Sequence, residues 1–317
     1  MKVTEHIQKS DSTIFSIEIL PPSKGEQFSS IKDAITPLLP FNPAFVNITH
    51  HQEKFVYKTL SDGTRVRRII QKNPSTFAVA AAVKIHYNVN VVPHIICAGM
   101  SKEMIQNALI NFHYVGINNV FALRGDTERN RKMFLPEKEE HEHAIDLVKQ
   151  IQNMNHGIFL DQDMEKTWRT DFCIGVAGYP EKHGEAPNAQ TDLMYLKQKV
   201  DAGASYIVTQ MFFNNQKYYD FVNQCRNVGI TVPIIAGLKP ISLLKHRTVL
   251  PEIFNIQIPK ELSQEMGKCK NNEAIRQLGI EWAVMQSKDL IHNKVPGLHY
   301  YTMGRTTNIA MIADKVF

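Results

Sequence analysis

The feature that most constrains this chain is a regular alternation of two periodicities. Eight short runs rich in β-branched and aromatic residues recur along it, at residues 14–20, 45–49, 91–97, 120–124, 172–177, 206–210, 232–237 and 298–302. Between them lie stretches of helical spacing, at 31–39, 58–71, 102–114, 144–154, 193–202, 216–228, 274–293 and 307–316. Several runs are apolar at nearly every position, the pattern of a strand buried on both faces. Strand then helix, eight times over, predicts an α/β fold, a single-domain (β/α)8 TIM barrel. A doubly wound open sheet is the competing arrangement. No G-x-G-x-x-G follows the first run, which argues against the dinucleotide site such a sheet carries. Two stretches depart from the alternation: 76–87, a further helical stretch, and 155–171, a polar excursion. Both read as decoration on one domain.

Composition excludes other classes. At 43% apolar and 21% charged, with neither Gly nor Pro in excess, 317 residues are enough to build a large core without staples. The four cysteines, Cys97, Cys173, Cys225 and Cys269, lie far apart with no C-x-x-C. They read as idle thiols rather than as a disulfide framework or thiolate metal site. The net charge of +5 is scattered, without a block of five like charges, which gives no nucleic-acid footprint. The first ten residues are polar, and the longest purely apolar run, 77–83, is far short of the ~20 residues that span a membrane. A soluble, cytoplasmic protein is expected.

Polar residues fall where a barrel of this kind carries its chemistry, at the carboxyl ends of the strands. Those ends hold Glu18; Thr49, His50 and His51; His94; Arg124, Gly125 and Asp126; Tyr179, Glu181 and His183; Gln210; Lys239; and Tyr301 with Arg305. Glu18 is set among apolar neighbours and followed by Pro21 and Pro22. Such surroundings raise a carboxyl's pKa and keep a general acid protonated near neutrality; a solvent-facing residue on an edge strand is the alternative.

Arg124 and Asp126 have two readings: a mutual ion pair, or a phosphate-facing cation beside a carboxylate, with Gly125 admitting a ligand close to the backbone. Asp192, Tyr195, Gln198 and Lys199 share roughly one helix face, which is either a solvated stripe or a site for sugar hydroxyls and a diphosphate. No metal site is expected. His50 and His51 are adjacent and diverge on a strand, and no H-x-H closes the first run. No G-x-S-x-G elbow is present for a nucleophilic triad.

Taken in order, FSIEILPP (15–22), Pro93-His94, LRGD (123–126), YPEKHGEA (179–186), KVDAGA (199–204), TQMFF (209–213), GLKP (237–240) and YYTMGR (300–305) resemble the methylenetetrahydrofolate reductase family over nearly the whole chain. The resemblance implies a barrel holding non-covalent FAD. A nicotinamide nucleotide, NADH or NADPH, reduces the flavin and leaves; 5,10-methylenetetrahydrofolate then accepts the hydride, giving 5-methyltetrahydrofolate for methionine synthesis. It also implies a catalytic-barrel form without a regulatory domain, working as a homo-oligomer, with no nucleic-acid or membrane partner.

Position by position, the resemblance makes Glu18 the acid that assists opening of the folate's five-membered ring. It sets Asp126 near flavin and pterin, and Gln210 and Arg305 near folate. Thr49, His94, Arg124, Gly125, Ala144, Tyr179, His183, Ala186, Asp192 and Lys199 are expected to line FAD or the nicotinamide, with Tyr195 beside them on the same helix face. The chain also departs from the family pattern. His50 stands where a Tyr against the flavin is frequent, Gln198 where a basic residue is, and His246 near a folate-contacting Gln. Leu250 stands where an aromatic often stacks on the ligand.

Overall fold

The computed structural model describes residues 1–317 except 51, 53, 126–138, 162, 165 and 305. Its centre is a closed barrel of eight parallel strands: β1 (Ile14–Ile19), β2 (Phe45–Ile48), β5 (Val91–Ile96), β6 (Asn119–Leu123), β7 (Cys173–Gly178), β8 (Tyr206–Thr209), β9 (Ile234–Leu238) and β10 (Gly297–Tyr301). Each strand falls within two residues of its expected position. β3 (Lys54–Thr59) and β4 (Arg65–Ile70) form a separate antiparallel pair.

Alternation along the strands sorts side chains into two cores. Ile14, Phe45, Val92, Phe121, Cys173, Tyr206, Val208 and Ile235 point inward and fill the barrel. The intervening residues, among them Ile17, Val46, Ile95, Ile174, Ile207, Ala236 and Leu298, pack outward against the helices. This two-sided burial accounts for the unbroken apolar runs. The filling is not wholly apolar: Ser16 and the Nδ1 of His299 lie 3.0 Å apart inside the barrel. Burial holds His299 neutral, its pKa lowered to about 3.

The outer ring consists of α2 (Ser29–Ile35), continued by a 3-10 turn Thr36–Phe41, then α3 (Thr76–Tyr87), α4 (Lys102–Tyr114), α5 (Ala144–Asn155), α6 (Ala189–Asp201), α7 (Asn215–Asn227), α10 (Asn272–His292) and α11 (Thr307–Val316). Three additions complete it. α1 (Val3–Lys9) closes the amino-terminal end of the barrel, with Val3 in the inner core and its amide donating to Asn119 Oδ1 at 2.9 Å. α8 (His246–Phe254) and α9 (Lys260–Lys268) enclose a satellite core of Met211, Phe213, Ile241, Leu250, Leu262 and Met266.

Two expectations are corrected. Residues 58–71 are no helix: they belong to the β3–β4 hairpin, which turns through Gly63 at φ +84 and pairs Thr59 with Arg65. β-branched residues on either side of Asp62-Gly63 are a hairpin signature that outweighs the helical spacing. In consequence α3, expected as decoration, is the barrel helix joining β2 to β5, capped by Ser75, whose hydroxyl accepts from the Ala78 amide. The three additions α1, α8 and α9 were also not expected; each is short, and the first lies in a polar segment.

Two helical glycines give a test of packing against propensity. A Cβ at Gly279 in α10 would lie 1.9 Å from the Ile241 carbonyl oxygen, whereas one at Gly267 in α9 would meet only Arg247 Nη1 at 3.7 Å. Gly279→Ala is therefore expected to destabilise by about 1–3 kcal/mol through overpacking. Gly267→Ala is expected to stabilise by about 0.5–1 kcal/mol by removing backbone freedom from the unfolded chain. Urea denaturation of both variants measures the two signs.

Candidate active site

The site is built on the last inward rung of the barrel. Glu18 on β1 is level with Asn47 on β2 and with Tyr301 on β10. Parity turns all three toward the axis, as it turns His94 on β5. Only 9% of Glu18 is exposed, and its Oε2 lies 3.6 Å from His94 Nε2. His94 Nε2 is also 3.1 Å from Asn47 Nδ2. The Tyr301 hydroxyl donates to the Thr209 carbonyl at 2.6 Å, which seats the ring across β8, β9 and β10.

Desolvation is the dominant force on Glu18. Burial raises its pKa to about 8, partly offset by the positive charge of Lys239. At neutral pH the carboxyl is therefore protonated, and its contact with His94 is a polar one rather than an ion pair. The edge-strand alternative is excluded, because β1 is hydrogen-bonded on both sides, to β10 and to β2.

A second group surrounds the ends of β6 and β7. Arg124 donates to Glu185 through both Nη1 and Nη2, at 2.5 and 2.7 Å. This bidentate bond holds Glu185 below the usual carboxylate range. The Tyr179 and His183 rings meet edge to face at 4.7 Å. The His183 amide donates to Asp192 Oδ2 at 2.8 Å, and Lys199 Nζ donates to the Ala177 carbonyl at 2.9 Å.

Of the expected helix stripe, then, Asp192 and Lys199 turn toward the loop after β7, while Tyr195 and Gln198 are exposed. The Lys199 ammonium makes that one hydrogen bond among the described residues, and burial lowers its pKa to about 8, opposed by Asp192. A half-buried cation that makes one hydrogen bond among the described residues suits an anionic group such as a diphosphate. Gly125 has a reason of its own: φ is +92, and a Cβ would approach Ala98 Cβ to 3.0 Å. The neighbouring strand end already demands glycine there, whether or not a ligand comes near.

The remaining expected residues are more dispersed. His50 Nδ1 is 3.0 Å from Thr76 Oγ1, whose hydroxyl also donates to the Thr49 carbonyl at 3.4 Å. Ala144 is the first residue of α5 and Ala186 is buried in the loop after β7. Gln210 folds back so that its Oε1 accepts from the Met211 amide at 2.9 Å. His246 is buried at the start of α8 and accepts from the Ser242 amide at 3.3 Å. Leu250 belongs to the satellite core rather than to an open lid. Asp126 and Arg305 lie outside the described residues.

Asn47 and Glu185 were not assigned a site role from sequence, and Lys239 was named only as a polar strand end. Parity counted forward from the inward Phe45 and Ile235 points Asn47 and Lys239 to the axis, whereas the Arg124 partner of Glu185 lies 61 residues away.

With this geometry in hand, the relationships of the chain are clear. The methylenetetrahydrofolate reductase family model matches residues 2–316. The chain belongs to that family. It is 30% identical to the 5,10-methylenetetrahydrofolate reductases of Salmonella typhimurium and Escherichia coli, over 92% of this chain and 86% of each of those proteins. It is 32% identical to methylenetetrahydrofolate reductase (NADH) 1 of Arabidopsis thaliana, over 96% of this chain and 48% of that protein. The chain thus spans about half the length of the plant and fungal relatives it matches. Among solved structures, an uncharacterized protein from Clostridium thermocellum, described as binding two copies of 5-methyl-5,6,7,8-tetrahydrofolic acid, superposes with a TM-score of 0.59 at 15% identity. That match covers 98% of this chain and 97% of the other, and it shares the fold.

The buried carboxyl has a measurable signature in stability. Between about pH 4.5 and 8 the native state holds the Glu18 proton while the unfolded chain releases it, so this group lowers stability as pH rises through that window. Glu18→Gln removes the effect. Its stability relative to wild type should be near zero at pH 4 and rise to a few kcal/mol by pH 8. A flat difference in urea denaturation across this range would mean that Glu18 is ionised in the native state.

Proposed function

We propose that the protein reduces 5,10-methylenetetrahydrofolate to 5-methyltetrahydrofolate, with NADH or NADPH as electron donor and FAD as non-covalent carrier, in a ping-pong sequence that feeds methionine synthesis. The observation that carries this reading is the protonated, buried Glu18 carboxyl on the mouth rung of a barrel in this family. FAD, when bound, supplies a hydride acceptor for the nicotinamide and a hydride donor for the folate.

The chain's own residues do the rest. Opening the folate's five-membered ring leaves electron density on an amine nitrogen, and Glu18 delivers the proton that nitrogen needs. The open form is an iminium cation, for which Asp126 is the proposed electrostatic partner. Gln210, His246 and Arg305 are proposed to orient the folate.

Arg124 and Lys199 are proposed to offset the charge of the diphosphate, and Ala144, at the α5 amino terminus, to line the cofactor. Tyr179, His183, Ala186, Asp192, Thr49, His50, His94 and Gly125 are proposed to line the cofactor or the nicotinamide. Tyr195 and Gln198, being exposed, are proposed to reach only the outer part of the nucleotide.

A visible spectrum of purified protein tests the cofactor: a flavin pattern is expected, and the chromophore released on denaturation should be FAD. Because the Lys199 pKa sits near 8, FAD affinity should weaken as pH rises through that value and the ammonium is lost. Lys199→Met should bind more weakly and lose this pH dependence, as read by fluorescence titration of the apoprotein.

Glu18→Gln separates acid catalysis from packing. The amide is nearly isosteric, so folding and flavin binding should survive, but it cannot give up a proton. In stopped flow the folate half-reaction should slow by ~10²–10⁴, the usual worth of a positioned acid. Reduction of the flavin by the nicotinamide should continue. Folate reduction within about threefold of wild type, far less than such an acid is worth, would remove Glu18 from the mechanism.

A further inference from the structure

Lys239 is a lysine inside the barrel mouth, and the sequence gives it no role beyond ending its strand. Parity fixes its direction. Ile235 lies in the inner core, and a Cβ at Gly237 would strike the Tyr301 ring and the Thr209 carbonyl oxygen, so Gly237 also faces inward. Lys239, two residues further on, faces the same way and is only 8% exposed. Register fixes its height. Leu238 pairs with Tyr300 and Tyr301 pairs with Glu18, which sets Lys239, Tyr301 and Glu18 on one rung. Two strand spacings, about 10 Å, separate the Lys239 and Glu18 backbones, and both side chains converge on the axis.

Among the described residues, the titratable groups facing Glu18 are His94 from β5, Lys239 after β9 and Tyr301 from β10, with Tyr179 after β7 acting on Tyr301. Tyr301 commits its hydroxyl hydrogen to Thr209. Lys239 is the group whose positive charge opposes the effect of burial on the carboxyl.

The chemistry of the acid step gives that charge its use, taking the reading of folate reduction as its basis. The Glu18 O–H bond breaks, an N–H bond forms on the substrate amine, and the electron pair stays on the carboxylate. A carboxylate left on a buried rung is costly unless a cation faces it. We propose that Lys239 is a positioning residue for Glu18, its ammonium holding the carboxylate that remains once the proton has gone to substrate. The acid is then kept protonated by burial, yet is able to let go.

Isotope-edited infrared titration of the Glu18 carboxyl in the flavin-loaded enzyme tests this, with Glu18→Gln assigning the band. Lys239→Met, and Lys239→Gln as a polar neutral alternative, should raise the titration midpoint by about one pH unit or more, a tenfold rise in proton affinity. Lys239→Arg should restore it. In the folate half-reaction, the pH at which the rate falls off should move up by the same amount, with the maximal rate reduced ~10–100-fold. Reduction of the flavin by nicotinamide should be unaffected. An unmoved midpoint in both neutral variants overturns the proposal, and lowered stability without that shift assigns Lys239 to packing alone. The infrared midpoint requires no turnover. A wild-type enzyme that fails to reduce folate would therefore defeat the functional reading, while the titration still decides whether Lys239 acts on Glu18.

Discussion

Closure of the parallel sheet is the constraint on which everything else here depends. Once β1 bonds to both β10 and β2, every strand has one face against a helix and the other against seven strands across the axis. Large inward side chains such as Phe45, Tyr206 and Phe121 then fill the lower barrel. The rung above them inherits a packed floor. A carboxyl placed on that rung is desolvated by the fold itself, with no special pocket required.

Two electrostatic regimes follow from height in the barrel. On the inner rungs burial acts almost alone, as at His299, held neutral, and at Glu18, held protonated. At the rim the charges are paired: Arg124 is clamped to Glu185, and Lys199 is steadied by the Ala177 carbonyl and by Asp192. The first regime suits a group that must hold and release a proton. The second fixes the position of charged groups at the mouth of the barrel. Lys239 sits between them, a rim-type charge on an inner rung.

The barrel itself was legible because its strands are buried on both faces, which writes short apolar runs rich in β-branched residues between turn signals. The stretch 58–71 was misread because its spacing fits a helix, while its Asp62-Gly63 turn and β-branched flanks fit a hairpin. Only the hairpin leaves α3 free to serve as the crossover between β2 and β5. The satellite core under α8 and α9 was illegible, since each helix is short and its apolar residues gain meaning only against Met211 and Phe213 from another part of the chain.

The candidate site divides along the same line. The chain order alone put Glu18 in an apolar run with a proline stop, and put Arg124, His183 and Lys199 after strands, because these are local facts of sequence. It could not say that Asp192 and Lys199 turn inward while Tyr195 and Gln198 face solvent, as a helix's rotation is set by what it packs against. Nor could it say that Arg124 pairs with Glu185, 61 residues away. That Lys239 shares a rung with Glu18 required the register of three strands, β9, β10 and β1, which hydrogen bonds between distant segments decide. Sequence determined the barrel strands and the polar groups that end them. Tertiary structure decided which of those groups meet, because only closure of the barrel fixes the rung on which each one lies.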